Sequence, residues 1–211
     1  VDRIQNSFSS FNPNENKLFF IDAPGGTGKT FIFKYLLNFF RGMGKVILPV
    51  ASSGIASTLL SGGRTAHSAF KLPIPIFEHS EIQTSSNDDE KTELLKQVEV
   101  ILWDEAPMMN KFNFECVDRY LRKLMQINVR FGGKMIILAG DFRQILPVTG
   151  GLERTPPFDA CLKRSNLWNY FEILSLTINE RVKRIEREQR ERRERLQLQG
   201  EENDNENEET N

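Results

Sequence analysis

The sequence predicts an α/β fold, an open and mainly parallel sheet with helices on both faces, and three observations predict it. Short apolar runs alternate with amphipathic stretches of helical spacing, as strands and helices do when they succeed one another in a wound sheet. The runs are apolar at consecutive positions, which strands covered on both faces require. Polar and glycine-rich clusters recur where the runs end, and in open parallel sheets that edge binds ligands.

The first unit shows all three features. Leu18-Phe19-Phe20-Ile21 is a strand, Ala23-Pro24-Gly25-Gly26-Thr27-Gly28-Lys29-Thr30 a glycine-rich loop, and Phe31 to Arg41 a helix stopped by Gly42 and Gly44. Such a loop turns successive backbone N–H groups inward around a phosphate, and the N-terminus of the following helix adds partial positive charge. Pro24, Gly25, Gly26, Thr27, Gly28, Lys29 and Thr30 are therefore the candidate nucleotide-binding residues. Lys29 is expected to reach the β- and γ-phosphates, and the Thr30 hydroxyl is expected to be a ligand of Mg²⁺. Ala23 stands where the G-x-x-x-x-G-K-[ST] pattern opens on glycine, a mild departure wherever the turn keeps a negative φ. The alternative, a flexible glycine turn, is disfavoured by the strand and helix that flank it. Phe31, Tyr35, Leu36, Phe39 and Phe40 recur at helical spacing and read as a core stripe rather than a base-stacking platform.

The remaining elements follow in order. Residues 1–17 set polar turn formers around Ile4, Phe8 and Phe11, the end of an amphipathic helix and then a loop. Val46 to Ala51 is a strand, followed by Ser52-Ser53-Gly54 and a small-residue helix through Leu60. A further turn lies at Ser61 to Ser68. The stretch 77–93 has little to bury and is expected to be a mobile surface excursion. Val98 to Trp103 is a strand, apolar except for Glu99, that ends in Asp104-Glu105. The helix Phe112 to Gln126 carries Phe114, Val117, Tyr120, Leu121 and Leu124 on one side. Strand Met135 to Ala139 ends in Gly140-Asp141-Phe142-Arg143-Gln144, and a last strand near Ile173 to Ile178 ends in Asn179-Glu180-Arg181. From residue 182 the composition shifts to charge, with Glu186/Arg190, Glu188/Arg192 and Glu191/Arg195 at i,i+4 spacing, which reads as an ion-paired, solvated helix. Residues 201–211 carry six acidic side chains and no basic one, an expected disordered tail. The division is thus a polar segment 1–17, a sheet domain 18–181, a charged helix 182–200 and the tail.

A length of 211 residues with 39% hydrophobic content supports one domain with a proper core. The net charge of −1 does not by itself demand nucleic acid, so such a partner has to be argued from motifs. Cys116 and Cys161 are the only cysteines and lack close-spaced Cys/His company, which favours a reducing, intracellular setting without a structural metal. Every apolar run falls short of the roughly 18 residues of a membrane span, so no membrane partner is expected. The chain begins at Val1 rather than methionine, and an upstream segment with any targeting peptide is expected.

Phosphoryl transfer to water needs a held Mg²⁺, a group that orients or deprotonates the water, and positive charge for the transition state. Asp104, at the end of a buried strand, is suited to the Mg²⁺ shell beside Thr30, and Glu105 to the general base. Gln144 is a candidate contact to the γ-phosphate or the water. Arg181 is a candidate source of transition-state charge, with a plain surface arginine as the alternative.

The stretches Phe19 to Thr30, Gly63-Arg64-Thr65-Ala66-His67-Ser68, Ile101-Leu102-Trp103-Asp104-Glu105-Ala106, and Gly140 to Val148 together resemble the ordered motifs of the petite-integration-frequency (PIF) DNA helicases, in the version of the Helitron transposon relatives. The resemblance spans roughly residues 17–184. It implies a RecA-like P-loop NTPase fold, the first motor domain of a superfamily-one helicase that uses ATP and Mg²⁺ to move 5′ to 3′ on single-stranded DNA. By position it assigns Lys29 and Thr30 to the first nucleotide motif, Asp104 and Glu105 to the second, Gln144 to the motif coupling nucleotide to DNA, and Arg181 to the arginine after the last strand. Ser53, Gly54, Arg64 and His67 fall in segments that line the DNA path in such enzymes; for His67 a packed turn histidine is the alternative. Glu180 stands where the family usually has methionine. A second RecA-like domain is expected as partner, and the resemblance implies work in DNA repair, recombination, telomere maintenance or transposon replication, in the nucleus or mitochondrion. The alternative from another class is a nucleotide-binding module that unwinds nothing. A guanine-specific Asn-Lys-x-Asp motif is missing, which argues against a small GTPase.

Overall fold

A computed structural model describes residues 1–10, 17–83, 89–144, 146–148 and 156–192. The helices are α1 Asp2–Ser9, α2 Lys29–Gly42, α3 Gly54–Thr58, α4 Ala66–Phe70, α5 Asp89–Gln97, α6 Lys111–Met125 and α7, residues 180–192. The strands are β1 Leu18–Asp22, β2 Ile47–Ala51, β3 Arg64–Thr65, β4 Val100–Asp104, β5 Met135–Gly140 and β6 Glu172–Ser175. They form one sheet in the order β3-β2-β4-β5-β1-β6. Every recorded pairing is parallel.

Side chains of a strand alternate between faces, and the core divides accordingly into two. Phe20, Val50, Ile101, Trp103, Ile136 and Leu138 point to one face, where Phe70 of α4, Leu95 of α5, and Phe114, Val117 and Leu121 of α6 cover them. Phe19, Ile21, Val100, Leu102, Ile137 and Ala139 point to the other, beneath Ile4 of α1 and Phe33, Leu36, Leu37 and Phe40 of α2. The central strands β4 and β5 are buried at every residue, as consecutive apolar positions require.

Several local expectations change. The buried face of α2 is Phe33, Leu36, Leu37 and Phe40, while Phe31 is 75% exposed and Tyr35 44% exposed. Aromatic and aliphatic residues surround this helix, so spacing alone allowed two stripes, and contact with the sheet selects the one centred on Phe33. Part of the expected excursion is ordered as α5, anchored by Leu95 in the core; the surface character of residues 84–88 lies outside the described residues. The last strand stops at Ser175 because its partner β1 ends at Asp22, directly opposite, and the helix of the charged segment starts at 180. The acidic tail 201–211 and residues 193–200 of the charged segment lie outside the described residues.

Candidate functional site

The loop after β1 is closed by its own side chain: Thr27 Oγ1 donates to the Pro24 carbonyl at 2.7 Å, and Thr27 N donates to the same oxygen at 3.2 Å. Thr27 is therefore turned into the loop, while Pro24, Gly25, Gly26, Gly28, Lys29 and Thr30 line a cleft of about 930 Å³. Gly28 sits at φ +90°, a left-handed conformation that a side chain would strain, and it opens directly into the first turn of α2. Lys29 thereby starts the helix at the mouth of the cleft.

Across the sheet, Trp103 packs between Phe114, tilted against it, and Phe70, stacked on it, with ring centroids 4.6 and 5.7 Å away. Its Nε1 donates to Ser52 Oγ at 3.1 Å, and Ser52 N donates to the Asp104 carbonyl at 3.0 Å. The end of β4 is thus fixed, and Asp104 is 3% exposed. Glu105 follows in a left-handed turn at φ 52°, its N–H donating to Asp104 Oδ1 at 2.8 Å. Gly140 of β5 allows this turn, because a Cβ there would overlap Pro107.

Lys29 Nζ lies 2.8 Å from Asp104 Oδ1 and also pairs with Glu105 Oε1. Burial pulls the ammonium pKa down, but the charges and hydrogen bonds of Asp104 and then Glu105 outweigh it and hold it above its ordinary value. The glycine-rich loop and the strand-end carboxylates therefore meet at one point. Gln144 lines the same cleft, its Nε2 donating to Asp141 Oδ2 at 2.8 Å. A Cβ on Gly25 would stand 3.1 Å from that nitrogen, so the amide lies close against the loop. Arg143 links Asp141, at 2.6 Å, to Asp22, at 3.0 Å. Burial raises the Asp141 pKa, yet the hydrogen bonds from Arg143 and Gln144 prevail and hold it below the usual carboxylate value.

Arg181 also lines the cleft, from the first turn of α7 rather than from a strand end. Its backbone N–H donates to the Gly26 carbonyl at 3.2 Å. Asn179 Nδ2 donates to the Gly25 carbonyl at 3.2 Å, while Asn179 Oδ1 accepts from Val182 N at 3.1 Å and caps the helix. Sequence reasoning missed Asn179, the Asp141–Arg143–Asp22 cluster, and Lys183, Arg184 and Arg187, which line the cleft beside Arg181. The available signals were the strand-end runs Gly140 to Gln144 and Asn179 to Arg181; nothing local marked Lys183, Arg184 and Arg187.

Ser53, Gly54, Arg64 and His67 lie elsewhere. Ser53 and Gly54 follow β2, Arg64 opens β3 and His67 follows it, at the opposite side of the sheet order from β1, and none is part of the cleft lining. Ser53 caps α3, its Oγ accepting from Ala56 N at 3.2 Å; Gly54 and Arg64 are exposed. His67 is half-buried, burial lowers its pKa, and it lines a second hollow of about 300 Å³ with Ser52, Ile74, Met109 and Asn113.

Comparison with known proteins bears on the family and the fold. The family model described as "PIF1-like helicase" matches residues 2–199. The ATP-dependent DNA helicase Pif1 of Bdellovibrio bacteriovorus is 28% identical over 166 residues, 77% of this chain and 36% of that protein. The ATP-dependent DNA helicase PIF3 of Trypanosoma brucei brucei is 32% identical over 126 residues, covering 60% of this chain and 15% of its own length. A crystal structure of a Pif1 helicase from Bacteroides, in complex with ADP-AlF3 and ssDNA, superposes with a TM-score of 0.70 at 29% identity, covering 84% of this chain and 41% of that one. The chain thus spans less than half the length of these relatives. With the family model matching residues 2–199 and the sheet superposing on a Pif1 helicase, the chain belongs to the PIF1-like helicase family, of which it holds a RecA-like motor domain.

Proposed function

We propose that this chain binds ATP with Mg²⁺ and hydrolyses it as the first motor domain of a DNA helicase moving 5′ to 3′ on single-stranded DNA. The observation that carries the reading is Lys29 at the mouth of the glycine loop, 2.8 Å from Asp104 and paired with Glu105. Lys29 exchanges these carboxylates for the β- and γ-phosphates, which frees Glu105 to take a proton from the attacking water. Gln144 orients the water or the γ-phosphate, and Arg181 offsets the charge that develops in the transition state. Thr30 and Asp104 fit Mg²⁺, since a hydroxyl and a carboxylate are hard oxygen donors and this ion takes few protein ligands beside phosphate oxygens. Among the described residues no cluster of three or more His, Cys, Asp or Glu competes for a metal. When bound, the ion supplies Lewis-acid polarisation of the phosphates.

Ser53, Gly54, Arg64 and His67 form the DNA side, where the exposed Arg64 supplies a phosphate contact. The relatives named as helicases support this reading, as does the Bacteroides structure with ssDNA. DNA repair, recombination, telomere maintenance or transposon replication, in the nucleus or mitochondrion, is the setting, and a second RecA-like domain is the partner across the cleft. Phosphate release from ATP tests the site: Glu105→Gln retains ATP binding and suppresses hydrolysis, whereas Asp104→Asn shifts the Mg²⁺ dependence. Identical metal defects in the two variants would refute the separate roles.

A further inference from the structure

The charged segment reads in sequence as a solvated helix, yet it runs along the phosphate cleft. Glu180, Arg181, Lys183, Arg184 and Arg187 all line it. Glu180, Arg184 and Arg187 fall at i, i+4 and i+7, one face of a helix, so the contact is a continuous stripe rather than a grazing end. Its position is tied to the loop that cradles phosphate. Asn179 caps α7 through one amide atom and holds the Gly25 carbonyl through the other, and Arg181 N reaches the Gly26 carbonyl. Gly26 is packed beneath this junction: a Cβ there would stand 2.6 Å from Asn179 Oδ1 and 3.1 Å from Arg181 Cβ.

The charge on this wall exceeds what the cleft's own acids neutralise. Lys29 is taken up by Asp104 and Glu105, which leaves four lining cations, Arg181, Lys183, Arg184 and Arg187, against two lining carboxylates, Asp141 and Glu180. The pairs that restrain the wall are loose and lie within α7: Lys183–Glu180 at 4.0 Å, Arg184–Glu188 at 3.4 Å and Arg187–Glu191 at 3.9 Å. Exposed pairs of this kind, at i,i+3 and i,i+4, contribute little, so a polyanion displaces them readily. Asp141 is already engaged by Arg143 and Gln144.

We propose that α7 is a second, cationic wall of the nucleotide site, in which Arg184 and Arg187 hold the outer phosphates of a nucleoside triphosphate and make affinity climb with phosphate number. This rests on the nucleotide-binding reading above and adds to it the residues that discriminate triphosphate from monophosphate. The wall is supplied within the same chain as the loop, and Asn179 joins the helix to the loop.

Fluorescence titration of the full chain with ATP, ADP and AMP, in the presence of Mg²⁺, tests the wall. Arg184→Glu/Arg187→Glu weakens ATP by about tenfold or more and AMP by about twofold or less, as expected for lost charge-assisted phosphate contacts. Arg184→Lys/Arg187→Lys keeps most of the ATP preference, which a purely structural defect would not restore. Arg190→Glu/Arg192→Glu, with the same net-charge change outside the cleft lining, leaves the ATP-to-AMP ratio as in the unaltered protein. An unaltered ratio in Arg184→Glu/Arg187→Glu while ATP still binds would overturn the wall alone. Absence of ATP binding in the unaltered protein would overturn both the wall and the nucleotide reading.

Discussion

The two sides of the cleft are built differently. The floor, from Ala23 to Thr30 and from Asp104 to Glu105, hangs on strands whose residues are buried on both faces and on a helix whose inner side is fully covered. The wall, α7, is exposed along its length and is fastened to the floor at one end by Asn179 and Arg181. Folding free energy therefore resides in the floor, while the wall contributes charge. A helix without apolar burial keeps its position only through such terminal contacts. The lesson is that a site's rigid half and its electrostatic half answer to different parts of the sequence.

Stability should separate the two most strongly. Phe33→Ala, at a position 1% exposed, is expected to destabilise the domain by about 3–5 kcal/mol. Ile185→Ala on α7, where the side chain is 43% exposed, should stay within about 0.5 kcal/mol. Urea denaturation compares them, and equal losses would mean that α7 belongs to the folding unit after all.

Binding should separate them next. Lys29→Ala removes the fixed charge at the mouth of the loop and is expected to weaken ATP by about 10- to 100-fold, the range for a hydrogen bond to a charged group. Calorimetric titration measures it, and an unchanged affinity would remove the phosphate-loop assignment.

A smaller effect lies at the joint. Asn179→Ala deletes the helix cap and the Gly25 contact together, a loss of about 1 kcal/mol that falls on α7. The ATP preference over AMP should drop while the urea midpoint barely moves. A large shift in midpoint would show that the joint supports the floor.

The smallest effect is in the acid limb of stability. Asp141 is held below its usual carboxylate value, so its contribution is full above about pH 4 and is lost as the pH falls through the lower folded value. Asp141→Asn should flatten the stability profile below about pH 4 and leave α7 untouched, as circular dichroism against pH would report.

Much of the floor was legible in the sequence because its constraints are local. Glycine at the left-handed position 28, an ammonium directly after it and carboxylates ending an apolar run are all statements about neighbouring residues. The α2 stripe was misread because aromatic residues occupy both sides of the helix, and spacing cannot say which side meets the sheet. The wall was illegible for a related reason. Interleaved acids and bases at i,i+4 spacing look the same whether the helix stands in water or lies along a phosphate cleft.

The parallel α/β architecture, the phosphate loop, and the catalytic candidates Lys29, Glu105, Gln144 and Arg181 follow from residue pattern together with family resemblance, since strand burial and loop chemistry are encoded over short spans. The meeting of Lys29 with Asp104 and Glu105 required the fold, because β4 and the loop after β1 come together only through the strand order β4-β5-β1. The approach of Arg184 and Arg187 to the loop likewise required it, through hydrogen bonds from residues 179 and 181 to Gly25 and Gly26, more than 150 positions earlier in the chain. Contacts of that span depend on where the sheet sends the chain, and no local spacing records it.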